Sequence, residues 1–372
     1  MSRKEILGDV GRIVVKVGTS SVTMGGGGAS SKFLDSVSDQ VKALRDAGKD
    51  VFIVTSGAVG LGMRAMGASP NPGDIPMRQA AASVGQSILM STWNESLSRN
   101  GLLAAQILLT MDVYSDRESA LNLNNTIEAL LDNGVVPIFN ENDAISIKQI
   151  GPAFGDNDTL SAAIAGRLDA DLLLILSDVD GLYDKNPKIH PDAKIVSTVA
   201  EITDSIAEMA GDSTSGVGVG GMRTKIRAAQ MCRDAGCRMV IASSAVPDVI
   251  LRVVSGEEIG TVFAADAQIS KKRRWLKSAH ACATIEVDEG AAKAVLDHRS
   301  LLPVGVTGVE GQFARGDVVN ISCGGEVIAK GAPSYSSDEV LRIKGMHSGR
   351  IGEVLGRRSG RDVVSSENIA PL

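Results

Sequence analysis

The sequence predicts an α/β protein: a mostly parallel, open sheet sandwiched by helices, followed by a small C-terminal β-barrel. Three observations carry that expectation. Runs of Val, Ile and Leu alternate with segments of helical period, short Gly-separated strands replace them past Thr261, and glycine is abundant while aromatics make up only 3%. Ile13-Val14-Val15-Lys16-Val17 reads as the first strand, closed by a Gly/Ser/Thr turn. A helix from about Ser31 to Ala47 places Phe33, Leu34, Val37, Val41 and Leu44 on one face, and Gly48 stops it. Val51–Thr55 and Leu102–Leu109 follow as strands. A helix over Glu118–Leu131 ends near Gly134, and Val135–Phe139 is the next strand. Asp158–Leu168 reads as helix and Leu172–Leu176 as a fully buried strand. After the glycine run Gly216–Gly221 a helix reaches Ala235, then Arg238–Ala242 returns to strand. Such β-α alternation calls for a parallel sheet covered on both faces. Beyond it lie β-like pieces at Ala283–Val287, Gly305–Val309, Asp317–Ser322, Glu326–Lys330 and Glu339–Ile343, spaced for a compact barrel. The expected organisation is a first domain over 8–262, a linker over 263–279 and a barrel over 280–360.

Composition narrows the function classes. Apolar residues are 44%, charged ones 22%, and 38 basic against 44 acidic residues leave a net charge of −6, so the chain is no polycation built to coat nucleic acid. From Val262 onward the net charge is +2, against −8 before it. The four cysteines, Cys232, Cys237, Cys282 and Cys323, lack metal or disulfide spacing and point to a reducing compartment. The start shows no signal-peptide pattern, and the strongly apolar run Leu172–Leu176 is too short to span a bilayer. A cytoplasmic protein is expected.

In doubly wound sheets ligands bind beyond the carboxyl ends of the strands. The residues there are Lys16 with Gly18-Thr19-Ser20, then Ser56-Gly57-Ala58, Asn140-Glu141-Asn142-Asp143 and Ser177-Asp178. Any one of them is ordinary loop polarity, whereas the set describes a binding cleft. Gly216–Gly221 contains G-x-G-x-x-G, but it follows no strand directly, and the next strand ends in Ala242-Ser243-Ser244 rather than an acid. No Walker A sequence occurs. Met222-Arg223-Thr224-Lys225 opens a helix straight after the glycines, which suits a phosphate cradle. Lys16 lies in an otherwise Val/Ile strand, where a central position leaves little room to snorkel. Asp156-Asn157-Asp158 serves equally as a helix cap or as functional groups. His190, His280, His298 and His347 have no ligand spacing, the Lys271–Arg274 run reads as a solvated linker, and Asp184 and Asp192 take no role.

Taken in order, these motifs resemble the amino acid kinase family, and within it the branch that phosphorylates the glutamate side chain. The marks are Val15–Ser20, Thr55–Val59, Phe139–Asp143, Gly155–Asp158, Ser177-Asp178 with Gly181-Leu182-Tyr183, and Gly220–Lys225. The C-terminal part resembles a PUA domain through Gly290-Ala291, Ser300–Val306, Arg315-Gly316-Asp317 and Tyr335-Ser336-Ser337. Two departures stand out: Val219 replaces the family's usual Thr, and Ile145–Phe154 is slightly longer than in relatives. The resemblance implies that Lys16, Ser177, Asp178, Val219, Gly220, Gly221, Met222, Arg223, Thr224 and Lys225 bind ATP, while Ser56, Asp143 and Asn157 bind L-glutamate. It makes Lys16, Lys225 and Asp158 the catalytic set, with Asp158 holding both lysines by charge pairing. Mg²⁺ would be held mainly by the nucleotide phosphates, with no protein metal site.

The implied activity is ATP-dependent formation of L-glutamyl 5-phosphate, the first step of proline synthesis. Proline as feedback inhibitor, handover to glutamate-5-semialdehyde dehydrogenase and a homo-oligomer follow from the same resemblance. The acceptor carboxylate is already ionised at neutral pH, so no general base is required, and the obstacle is anion approaching anion. Lys16 and Lys225 are the cations placed to meet it. Two alternatives stand beside this reading. One is a family kinase acting on another carboxylate or phosphate. The other is an RNA-binding PUA protein, which the small charge and few aromatics of the second half do not favour.

Overall fold

The structure, a computed structural model, describes residues 2–23, 31–69, 71, 73–110, 117–145, 157–187, 189–209, 221–265, 276, 279, 281–297, 299–356 and 360–372. Residues divide into two compact units, Met1–Asp266 and Ala267–Leu372.

The first unit opens with α1 (Arg3–Leu7), β1 (Arg12–Val17), the single turn α2 (Thr19–Val22), α3 (Ser31–Asp46) and β2 (Asp50–Val54). It continues with α4 (Ala58–Ala65), α5 (Ile75–Ser98), β3 (Ala104–Leu109), α6 (Arg117–Asp132), β4 (Val136–Glu141) and α7 (Asn157–Arg167). The rest is β5 (Leu172–Ser177), β6 (Thr198–Val199), α8 (Asp204–Met209), α9 (Met222–Asp234), β7 (Arg238–Ser243), α10 (Val249–Val254) and β8 (Thr261–Phe263). The eight strands form one sheet in the order β3-β4-β2-β1-β5-β7-β8-β6, parallel throughout except where β8 runs against β7.

β1 lies between β2 and β5, so its residues face helices on both sides. Alternation then decides where each side chain goes. Ile13, Val15 and Val17 join the core beneath α3 and α5, with Leu34, Val37, Leu89 and Trp93. Val14 joins the opposite core, with Leu160 and Ile164 of α7 and Ile226 and Ala229 of α9. Lys16 has the parity of Val14 and is therefore directed toward α7 and α9.

Two helices absent from the sequence expectation, α4 and α5, shape the other half of the sheet edge. They cross so closely that a Cβ on Gly62 would lie 1.7 Å from the Ala81 carbonyl oxygen, and one on Gly85 would lie 1.7 Å from that of Ala58. α4 also starts from Gly57, whose φ of +105° suits glycine alone. Ser56 is thereby placed between the end of β2 and the start of α4, where its hydroxyl accepts from Asn157 at the start of α7.

The second unit contains β9 (Ala283–Val287), α11 (Glu289–Leu296), β10 (Val306–Glu310), β11 (Val319–Cys323), β12 (Glu326–Gly331), α12 (Ser337–Ile343), α13 (Ile351–Leu355) and β13 (Ile369–Pro371). Its sheet runs β10-β9-β11-β12-β13 around a core that includes Ile285, Val295, Ile321, Val340 and Ile369. Two expectations are corrected here. Glu339–Ile343, read as a strand, is helical, because Ser336 and Glu339 form a reciprocal capping box at the start of α12. The sheet also continues past residue 360, to β13. No helix among the described residues is long and apolar enough to cross a membrane.

Candidate active site

β1 delivers Lys16 to the carboxylate of Asp158, which lies in the first turn of α7. Lys16 Nζ stands 2.6 Å from Asp158 Oδ1, and Lys225 Nζ, one turn into α9, donates to Asp158 Oδ2 at 2.9 Å. Thr224 Oγ1 lies 3.3 Å from the same Oδ2 and donates at 2.7 Å to the Gly221 carbonyl, locking the start of α9. Asp158 is fully buried, and only 7% of each lysine is exposed. Burial would push the Asp158 carboxyl upward, but Lys16 and Lys225 outweigh it and hold the group below the ordinary carboxylate range. An ion triad of this kind adds little net stability in general, because desolvation opposes the attraction. Its electrostatic result is a net positive charge under the sheet edge, with two ammonium groups held a fixed distance apart.

The neighbouring residue builds a second cluster. Asn157 Nδ2 donates to the Thr55 carbonyl at 2.7 Å, to Ser56 Oγ at 2.6 Å and to Asn140 Oδ1 at 3.0 Å. Asn140 is 2% exposed and donates its own amide to Gln86 Oε1 of α5 at 2.8 Å. Trp93 Nε1 donates to Thr55 Oγ1 at 3.0 Å from the same helix. The ends of β2 and β4, the start of α7 and one face of α5 are thus tied by side-chain hydrogen bonds.

Asp143 sits half-buried in the turn just past β4. Burial, followed by the charge of Glu141, pushes its carboxyl up to about 6, against an opposing pull from Arg78. Ser177 closes β5, and its hydroxyl donates to Asp178 Oδ1 at 3.1 Å, with Asp178 exposed. Gly221 precedes α9, Met222 is partly buried and Arg223 is exposed. Val219, Gly220, Asp156 and residues 146–154 lie outside the described residues.

The structure therefore brings Lys16, Asp158, Thr224 and Lys225 into direct contact, and likewise Ser56 with Asn157. Asp143, Ser177 and Asp178 share the same sheet edge by their positions just past β4 and at the end of β5. Asn140, the hub of the second cluster, was not singled out by sequence. It lies within Asn140–Asp143, but only the register of β4 shows which of those four turns inward.

Residues 11–243 match the model of the amino acid kinase family, and residues 283–355 match the PUA domain. The chain belongs to the amino acid kinase family. Among the relatives of this family member, the glutamate 5-kinase of Methanosarcina mazei is 52% identical over 378 residues, covering 100% of this chain and 98% of that protein. The glutamate 5-kinase of Trichlorobacter lovleyi is 43% identical, covering 99% and 98%. The UMP kinase of Bacillus anthracis superposes with a TM-score of 0.50 at 18% identity, over 69% of this chain and 97% of its own, a likeness of fold.

Proposed function

We propose that this chain transfers the γ-phosphoryl group of ATP to the side-chain carboxylate of L-glutamate, giving L-glutamyl 5-phosphate and ADP. One observation carries the reading most: adjacent residues, Asn157 and Asp158, anchor two different clusters, one cationic and one polar. A donor anion and an acceptor would then meet at the start of a single helix. The near full-length likeness to proteins named glutamate 5-kinase supports the choice of acceptor.

A glutamate carboxylate oxygen attacks the γ-phosphorus while the bond to the β,γ-bridging oxygen breaks, and ADP leaves with that electron pair. No proton is removed from the nucleophile, which is ionised at neutral pH. The work left to the protein is alignment and neutralisation of charge on the transferring group. Lys16 and Lys225 supply the positive charge, each having three donors of which one suffices for Asp158. Asp158 positions the two lysines. Ser56 and Asn157 orient the acceptor, and Asp143 pairs with its ammonium group. Ser177, Asp178 and the segment 219–224 hold the nucleotide.

Among the described residues no three His, Cys, Asp or Glu side chains converge on a metal-sized group. The lysine pair fits an anionic nucleotide, and Mg²⁺ would arrive on its phosphates, where it neutralises charge. Proline inhibition fits a second small amino acid competing for the glutamate pocket. An acyl phosphate is labile in water, which favours handover to glutamate-5-semialdehyde dehydrogenase. A cytoplasmic homo-oligomer completes the proposal.

Hydroxylamine trapping tests the reaction. Purified protein given ATP, Mg²⁺ and hydroxylamine should yield glutamyl hydroxamate, with far less hydroxamate from aspartate or N-acetylglutamate, and with UMP, whose product is no acyl phosphate, little release of ADP. Activity on one of those acceptors with none on glutamate would overturn the substrate assignment.

A further inference from the structure

We infer that the hydroxyl pair Ser21–Ser244 is a positioning clamp that fixes the spacing between the phosphoryl-donor and acceptor halves of the site. The inference rests on the function proposed above. α2 begins at Thr19, with only Gly18 between it and the end of β1 that carries Lys16, and is a single turn of helix. One turn has no stability of its own, so its place is set by what it touches. Ser21 is 1% exposed and Val22 fully buried.

On the donor side, Ser21 Oγ donates to Ser244 Oγ at 2.8 Å. Ser244 lies just past β7 and donates its backbone N–H to the Ser177 carbonyl at 2.8 Å. One hydrogen-bonded path therefore joins α2, the end of β5 and the segment that follows β7, and it runs through Ser177 beside Asp178. On the acceptor side, a Cβ placed on Gly57 would lie 3.6 Å from Val22 Cγ1 and 3.8 Å from Thr19 Cγ2. Gly57 follows Ser56, whose hydroxyl accepts from Asn157. The turn α2 is thus fastened at Ser244 and abuts Gly57, with Lys16 held at its entry.

A hydroxyl as buried as that of Ser21 is costly to leave unpaired, so the pair selects one placement of α2. Phosphoryl transfer is sensitive to such placement, because misalignment by about 1 Å lowers rates by up to about 10²-fold. Loss of the clamp should act on alignment of the two bound substrates rather than on binding of either.

The test is a mutant cycle in the full-length chain: Ser21→Ala, Ser244→Ala, the double variant and Ser244→Thr, with both substrates varied. Rates are referred to folded protein, and Tm is measured alongside. Each alanine variant should lose about tenfold in kcat with either KM changing less than about threefold. The double variant should be no worse than the singles, because both remove one bond. Ser244→Thr keeps the hydroxyl at a half-buried position and should recover most of kcat. Unchanged kcat, multiplying losses, a fall in Tm alone, or Ser244→Thr behaving like alanine would each overturn the clamp. A wild-type chain inactive on glutamate but active on another acceptor would sink the substrate assignment alone, and the same cycle with that acceptor would still decide the clamp.

Discussion

Asp158 makes the chemistry legible at the scale of single residues, because one buried carboxylate fixes two cations that come from distant parts of the chain. A lysine serving mainly the transferring group matters more in the transition state than in the ground state. Lys225→Ala should therefore lower kcat by about 10²-fold or more, with a much smaller change in the glutamate KM. Steady-state kinetics with both substrates varied checks this, and a change confined to the glutamate KM would move the phosphoryl site away from α9. Asp158→Asn leaves two buried ammonium groups together and should cost roughly 3–5 kcal/mol of stability. The folded-state carboxyl of Asp158 is lowered, so its contribution is complete above the unfolded value, about 4, and fades as pH falls through the folded value. Urea unfolding against pH should show the gap between wild type and Asp158→Asn closing only in acid. Asp143 behaves in the opposite sense. Its carboxyl is raised to about 6, so kcat/KM for glutamate should decline as pH drops through that value. In Asp143→Asn that acidic decline should disappear from an already lowered profile. The sequence revealed the strand-end residues, since a Lys in a Val/Ile strand is conspicuous. It did not reveal Asn140 as the hub, because four polar residues in a row carry no sign of which one faces inward.

At the scale of elements, the residues proposed to hold the acceptor lie beside the crossing of α4 and α5, where two glycines let backbone meet backbone. Gly62→Ala has no room for its methyl beside the Ala81 carbonyl and should cost about 1–3 kcal/mol, or more if the helices cannot part. Because α4 begins at the Ser56–Gly57 turn and α5 carries Gln86, the same variant should raise the glutamate KM more than the ATP KM. Equal changes in both would detach this crossing from the acceptor pocket. Neither helix was foreseen, and the reason is compositional. Residues 58–98 are rich in Ala, Gly and Ser, and these small residues, buried at Ala81, Ala82 and Gly85, blur the periodic stripe of Leu89, Trp93 and Leu97 that α5 also buries. In α12 the pattern misled differently, since Val340, Leu341 and Ile343 favour a strand while the Ser336/Glu339 capping box decides for helix. By contrast β1, β5 and β7 were plain, because central strands of a parallel sheet must be apolar on both faces.

At the scale of the whole molecule, every described side chain assigned to nucleotide, glutamate or the triad belongs to the unit Met1–Asp266. The second unit has its own sheet and core and contributes none of them. The sequence changes texture past Thr261, but the reach of the last strand to Pro371 was not legible in it, since three residues carry too little pattern. The most direct measurement is glutamyl hydroxamate formation by a chain ending at Asp266, beside the full-length protein. The shortened chain should fold and form the product within about threefold of the full-length kcat, and Lys225→Ala within it should cost about 10²-fold, the scale of one lost electrostatic contact. A shortened chain that folds but forms no glutamyl hydroxamate would contradict it.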